Sequence, residues 1–88
     1  MKVIFKSSFA KDLRKIKERR LRSRVKAVIE QVEQAESFQE ITRVKPMKGF
    51  PGYFRIRVGD YRLGFSFHNN TIILIRFLHR KEIYRYFP

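Results

Sequence analysis

The sequence predicts an α+β domain: an N-terminal strand, a two-helix hairpin, then an antiparallel β-meander, with the helices packed on one sheet face. Three observations carry this. Nothing before Pro46 breaks a helix, whereas all four glycines and two of the three prolines lie after Lys48. Apolar residues of the first half recur at spacings of three and four, the helical period. Those of the second half alternate, the strand period. With 88 residues there is room for one hydrophobic core, so residues 1–88 are expected to form a single domain.

Lys2 to Lys6 alternates around Val3 and Phe5 and reads as the first strand. Ser7 or Ser8 is placed to N-cap a helix, and Asp12 early in that helix suits its positive end. Phe9, Leu13 and Ile16 give this helix one apolar stripe. Leu21, Val25, Val28, Val32 and Ala35, widened by Ile29, give a second helix its own stripe. The turn between them is expected at Lys17-Glu18-Arg19-Arg20. After an extended stretch from Ile41 to Met47, Tyr53–Val58 and Tyr61–Phe67 alternate around Gly59-Asp60, a tight hairpin signal. Asn69-Asn70 marks a second turn, since Asn tolerates left-handed backbone. Thr71 to Leu78 is apolar on both faces apart from Arg76, which places it inside the sheet rather than at its edge.

Composition narrows the function. Lys and Arg number 21 against 8 Asp and Glu, a net charge of +13, which opposes compactness unless a polyanion is the partner. The hydrophobic share of 43%, with nine Phe and four Tyr, separates the chain from disordered basic tails. There is no Cys and there are only two His, so neither a disulfide framework nor a structural zinc site is expected. The longest apolar run, Ile72 to Ile75, is too short to span a membrane, and the early charges argue against a signal peptide. A cytoplasmic protein with no membrane role is expected. The second half holds six Arg and a single Lys, Lys81, a bias towards bidentate phosphate binders.

Period two sorts the strand side chains. Phe54, Ile56 and Val58 share one face, and Tyr53, Arg55 and Arg57 the other. Tyr61, Leu63, Phe65 and Phe67 share a face in the next strand, opposite Arg62, Gly64 and Ser66. With the apolar sets against the helices, Arg55, Arg57 and Arg62 stand together on the open face. Arg55 and Arg57 would lie about 7 Å apart, and like charges at that distance cost stability unless an anion joins them. His79, Arg80, Lys81 and Tyr84 follow just past the inner strand. A single basic side chain on a strand is most often only solvated. Three arginines on one face of so basic a domain point instead to phosphate.

The run Gly52-Tyr53-Phe54-Arg55-Ile56-Arg57-Val58-Gly59-Asp60-Tyr61-Arg62-Leu63, preceded by Gly49 and followed by His79-Arg80 and Ile83-Tyr84, resembles the RelE/ParE toxin superfamily. The resemblance covers essentially the whole chain and has the same β-α-α-β-β-β order. It implies the toxin of a bacterial toxin–antitoxin pair. The RelE branch enters the 30S A site of the ribosome and cuts mRNA there, whereas the ParE branch lacks that nuclease set and poisons DNA gyrase. On the RelE reading, Arg62 matches the arginine that clamps the scissile phosphate. Arg80 matches an arginine that stabilises charge, and Tyr84 a tyrosine that stacks on or polarises the RNA. Arg55 and Arg57 stand where the pattern holds lysines, and Arg cannot serve as a proton acceptor because it stays protonated.

The expected chemistry is metal-free attack of an RNA 2′-OH on the neighbouring phosphate. Guanidinium groups would stabilise the charge that builds on the phosphoryl oxygens. Arg62 and Arg55 are the expected clamp, with Arg57 beside them and Arg80 in support. No carboxylate cluster stands ready for Mg²⁺, so no metal or other cofactor is expected. Proton transfer falls to Tyr84, on family precedent, to His79, the side-chain type that titrates near neutral pH, or to Lys81. Lys81, Arg76, Lys48 and Arg85 are expected to add RNA contacts. Nine basic residues against two acidic ones over residues 11 to 26 offer either a ribosomal-RNA docking surface or a plain solvated helix face. The expected partners are a neutralising, acidic antitoxin together with the ribosome and its mRNA. The rival readings are a non-nuclease gyrase inhibitor of the ParE kind and a non-catalytic RNA-binding module.

Overall fold

A computed structural model describes residues 1–88. Strand β1 (Lys2–Phe5) leads into helices α1 (Ser7–Arg14) and α2 (Arg19–Gln34). A short 3₁₀ turn at Phe38–Glu40 precedes β2 (Val44–Pro46), β3 (Tyr53–Val58), β4 (Tyr61–His68), β5 (Thr71–His79) and a one-turn helix α3 (Ile83–Tyr86). The strands form one sheet in the order β1-β5-β4-β3-β2. From β2 to β5 the neighbours are antiparallel, the expected meander with one strand added. That addition is β2, three residues of the stretch expected only to be extended. The remaining pair, β1 with β5, is parallel, so the sheet is mixed. Helices α1 and α2 and strands β2 to β4 all lie between these two strands in the chain, a connection long enough for parallel pairing.

Phe9, Ile16, Leu21, Val25, Val32 and Ala35 of the helical segment close on Ile56, Val58, Leu63, Phe65, Ile72, Leu74 and Phe77 of the sheet. Phe9, Leu63, Phe65, Ile72 and Leu74 are fully buried. Both helical stripes and the apolar faces of the hairpin therefore sit where their periods put them. The inner strand carries a bulge: Gly64 pairs with Arg76 and Phe65 with Leu74, leaving Ile75 as the extra residue. The bulge brings Leu74 and Phe77, three residues apart, onto the same core. It turns Ile75 to a second cluster formed by Met47, Ile83 and Phe87 with Tyr53 and Leu78. Strand β5 is thus covered on both faces, as its composition requires.

Several local expectations are corrected. Neither serine caps α1: the N-cap position is Lys6, and the Ser8 hydroxyl donates instead to the Ile75 carbonyl at 2.6 Å. Asp12 is not at the positive end of α1. It lies in the helix's second half, buried, accepting the Phe77 N–H at 2.9 Å and pairing with Arg76. The break between the helices falls at residues 15–18, so Arg19 and Arg20 already belong to α2. One guanidinium nitrogen of Arg22 donates to the Leu13 and Ile16 carbonyls, at 2.8 and 2.9 Å, and closes the C-terminal end of α1. No helix is long and apolar enough to cross a membrane.

Candidate nucleic-acid interface

The β3–β4 hairpin assembles the arginine face. Its register sets Arg57 directly opposite Arg62 and Arg55 opposite Gly64. Gly59, in left-handed backbone at φ 60°, makes the turn that holds this register. One guanidinium nitrogen of Arg62 folds back to donate to the Gly59 and Tyr61 carbonyls, at 3.0 and 2.9 Å. Arg55 donates to the Pro46 carbonyl at 2.9 Å and lies over the Tyr84 ring, 5.1 Å from its centroid. The backbone N–H of Arg80 donates to the Asp60 carbonyl at 2.8 Å, fastening the segment after β5 to the hairpin turn.

These groups share one electrostatic environment. Burial, then the positive charges of Arg57, Arg80 and Arg55, push the Arg62 pKa below the ordinary arginine value, and Tyr84 opposes the shift. A concentration of positive charge with this effect is what a bound phosphate would relieve. A cavity of about 550 Å³ opens on the same face, lined by Arg24, Arg43, Lys45, Arg55, Arg57 and Arg62, with no acidic or apolar residue among them. No group of three His, Cys, Asp or Glu side chains is placed to hold a metal ion.

Of the residues expected at the site, the structure brings together Arg55, Arg57, Arg62, Arg80 and Tyr84. His79 is elsewhere. It pairs with Tyr61 across β4 and β5 and meets that ring edge-on at 5.4 Å, while Tyr61 stacks on the core residue Phe77 at 5.1 Å. That is the helix face of the sheet, and the His79 Nδ1 accepts the Lys81 N–H. Arg76 is not a free cation either. Its Nε and a terminal nitrogen donate to the two Asp12 oxygens at 2.8 and 3.2 Å, and this bonding raises its pKa further. Its two-point grip is already occupied by a carboxylate. Lys48, Lys81 and Arg85 are exposed, and none lines the cationic cavity.

Three lining residues were absent from the expected set. Arg43 and Lys45 would have emerged from period-two sorting carried back through the stretch before Met47. Arg24 comes from α2, and no local pattern ties a helix residue to a particular strand face.

The comparisons with known proteins agree with this architecture. A family model described as the ParE toxin of type II toxin–antitoxin systems matches residues 3–84. Toxin RelE3 of Methanocaldococcus jannaschii is 44% identical over 89 residues, spanning all of both chains. The crystal structure of a RelB-RelE antitoxin-toxin complex from Methanococcus jannaschii contains a chain 41% identical to this one. It superposes with a TM-score of 0.81 over 97% of this chain and 99% of that one. A chain of the toxin-antitoxin complex RelBE2 from Mycobacterium tuberculosis is 28% identical, with a TM-score of 0.65 over 90% of this chain and 96% of that one. In sequence along its length and in its overall fold, this chain belongs to the RelE/ParE superfamily of type II toxin–antitoxin toxins.

Proposed function

We propose that this toxin is an endoribonuclease that cuts mRNA in the ribosomal A site. The observation that carries the reading is the position of Arg62, crowded by Arg57, Arg55 and Arg80 with Tyr84 alongside and no carboxylate among them. In the proposed reaction the 2′-oxygen of one nucleotide attacks the adjoining phosphorus. A P–O bond forms as a 2′,3′-cyclic phosphate, and the bond to the 5′-oxygen of the next nucleotide breaks. The 2′-OH proton leaves with a base, and the departing 5′-oxygen takes up a proton. Negative charge grows on the non-bridging oxygens, and Arg62 and Arg55 are fixed by carbonyl contacts before any substrate arrives. Such donors need no reorganisation during the reaction. Tyr84 brings a hydroxyl to this face and is 62% exposed, free to stack on a base or exchange a proton. His79 takes no part.

A site with this few strong bases depends on its substrate being held in line, so ribosome-bound message is cut and free RNA is cut slowly or not at all. The description of the matching family model favours a second reading, a ParE-type toxin acting on DNA gyrase. In vitro translation of a defined message, followed by primer extension, separates the two. Codon-spaced cuts that vanish in Arg62→Ala and Tyr84→Phe support the nuclease. Intact message with gyrase-dependent DNA breaks supports the ParE reading.

The neutralising partner is proposed to be an acidic antitoxin, by analogy with the RelB-RelE and RelBE2 complexes and in keeping with the net charge of +13. It would lay an extended or helical segment over the domain and cover the arginine face. A tight complex that leaves Arg55 and Arg62 accessible and active would contradict this.

A further inference from the structure

The cationic cavity holds more charge than one phosphate can use. A phosphodiester carries a single negative charge, whereas six basic side chains line this space without one acid. Strand register shows how they are laid out. Lys45 lies opposite Arg55 in one cross-strand row. The Arg57 N–H donates to the Arg43 carbonyl at 3.4 Å, which sets Arg43 beside Arg57 in the next row, and that row continues to Arg62. The two rows are two residues apart along the strands, about 7 Å.

Two backbone features keep the outer part of this grid in place. Arg43 has a φ of 63°, a left-handed conformation that a non-glycine residue rarely adopts. Arg24 reaches in from α2, and its guanidinium nitrogen stands 2.9 Å from the point a Gly59 Cβ would occupy. A side chain at residue 59 would displace it, so Gly59 serves both the turn and the approach of Arg24.

We infer that Arg24, Arg43 and Lys45 form a second anion subsite, which takes the phosphodiester adjoining the one clamped by Arg62 and Arg55 on a single RNA strand. This rests on the reading of the face as RNA-binding and deepens it. Arg24, Arg43 and Lys45 are positioning residues: they hold the strand in line and touch no reacting atom. Arg55 and Arg62 straddle β3 and β4, whereas Arg43 and Lys45 flank them on the β2 side. At about 4.8 Å per strand the two groups lie about 7 Å apart across the sheet, which suits successive phosphates. The surplus positive charge is matched by a strand rather than by an isolated anion.

The test is NMR titration of the purified toxin with uncleavable 2′-O-methyl di- and trinucleotides. In the trinucleotide, the second linkage is either a phosphate or a neutral methylphosphonate. For wild type, the second phosphate should raise affinity about tenfold over the methylphosphonate, the order expected of one charge-assisted contact. In Arg43→Gln/Lys45→Gln, and separately in Arg24→Gln, that gain should fall below about twofold while dinucleotide affinity stays put. The slope of log affinity against log salt should drop by about 0.7 for the lost contact. Equal affinity of wild type for the two trinucleotides, or an undiminished gain in both variants, overturns the subsite. Two-phosphate binding without ribosomal cleavage leaves the subsite standing and removes the nuclease. Cleavage with only one phosphate sensed does the reverse.

Discussion

Asp12 and Arg76 lie 64 residues apart and meet as a two-point ion pair, with Nε to Oδ2 at 2.8 Å and a terminal nitrogen to Oδ1 at 3.2 Å. The same carboxylate accepts the Phe77 N–H, so it joins α1 to β5, an inner strand of the sheet. Removing it strands both a partly buried guanidinium and a buried N–H. Asp12→Ala should therefore lower stability by about 2–3 kcal/mol, read from urea unfolding. The Arg76 pKa is raised, first by its hydrogen bond to Asp12. A raised cation contributes stability that is fully present below its unfolded value and is lost only as pH climbs through the arginine range. This pair's arginine therefore adds no slope to stability between about pH 6 and 9.

The opposite sign holds at Arg62. Its pKa is depressed, by burial and then by Arg57, Arg80 and Arg55, so the folded chain binds that proton less tightly than the unfolded one. The charged form thus costs stability wherever arginine is protonated, and an anion rather than a change of pH relieves it. Arg57→Gln should stabilise the free toxin by roughly 0.5 kcal/mol, the order of a directly opposed like-charge pair, while weakening RNA cleavage. Phosphate should raise the melting temperature of wild type more than chloride at matched ionic strength, and this difference should shrink in the variant.

His79→Ala provides a negative control. Because the imidazole meets Tyr61 on the helix face, its loss should leave ribosomal cleavage within about threefold of wild type, against a loss of about a hundredfold or more for Arg62→Ala. A collapse of activity with an unchanged melting temperature would return His79 to the proton-transfer role.

Gly64 tests the link between packing and site. A Cβ there would sit 2.8 Å from two ring carbons of Phe87, which is 2% exposed. Gly64→Ala should cost about 1–3 kcal/mol through overpacking. It should also reduce cleavage at temperatures where the protein remains folded, because shifting Phe87 disturbs the short helix that carries Tyr84. Calorimetry alongside the translation assay separates the two effects.

Much of this was legible in the sequence where short-range rules decide. Alternation around Gly59-Asp60 placed Arg55, Arg57 and Arg62 on one face, and the doubly apolar run after Asn70 announced an inner strand. What the sequence hid depends on long-range pairing. Val44–Pro46 is three residues long and acquires its role only by pairing with β3. The parallel contact of Lys2–Phe5 with β5 has no local signature, and neither does the bulge at Ile75. His79 could not be assigned to a face because that bulge resets the alternation two residues before Phe77. Arg76 looked like one more cation until its carboxylate, far away in the chain, was placed beside it.

The parallel pairing of β1 with β5 also bears on when the sheet can be completed. The first strand of the chain completes the sheet only against the last one, with Lys2 aligned to Thr71 and Phe5 to Leu74. While β5 is still inside the exit tunnel, β4 lacks the neighbour that joins it to β1. Contacts this distant in sequence form late and slowly. The hairpin and the first strand are therefore joined in one sheet only after β5 has been made and has left the ribosome.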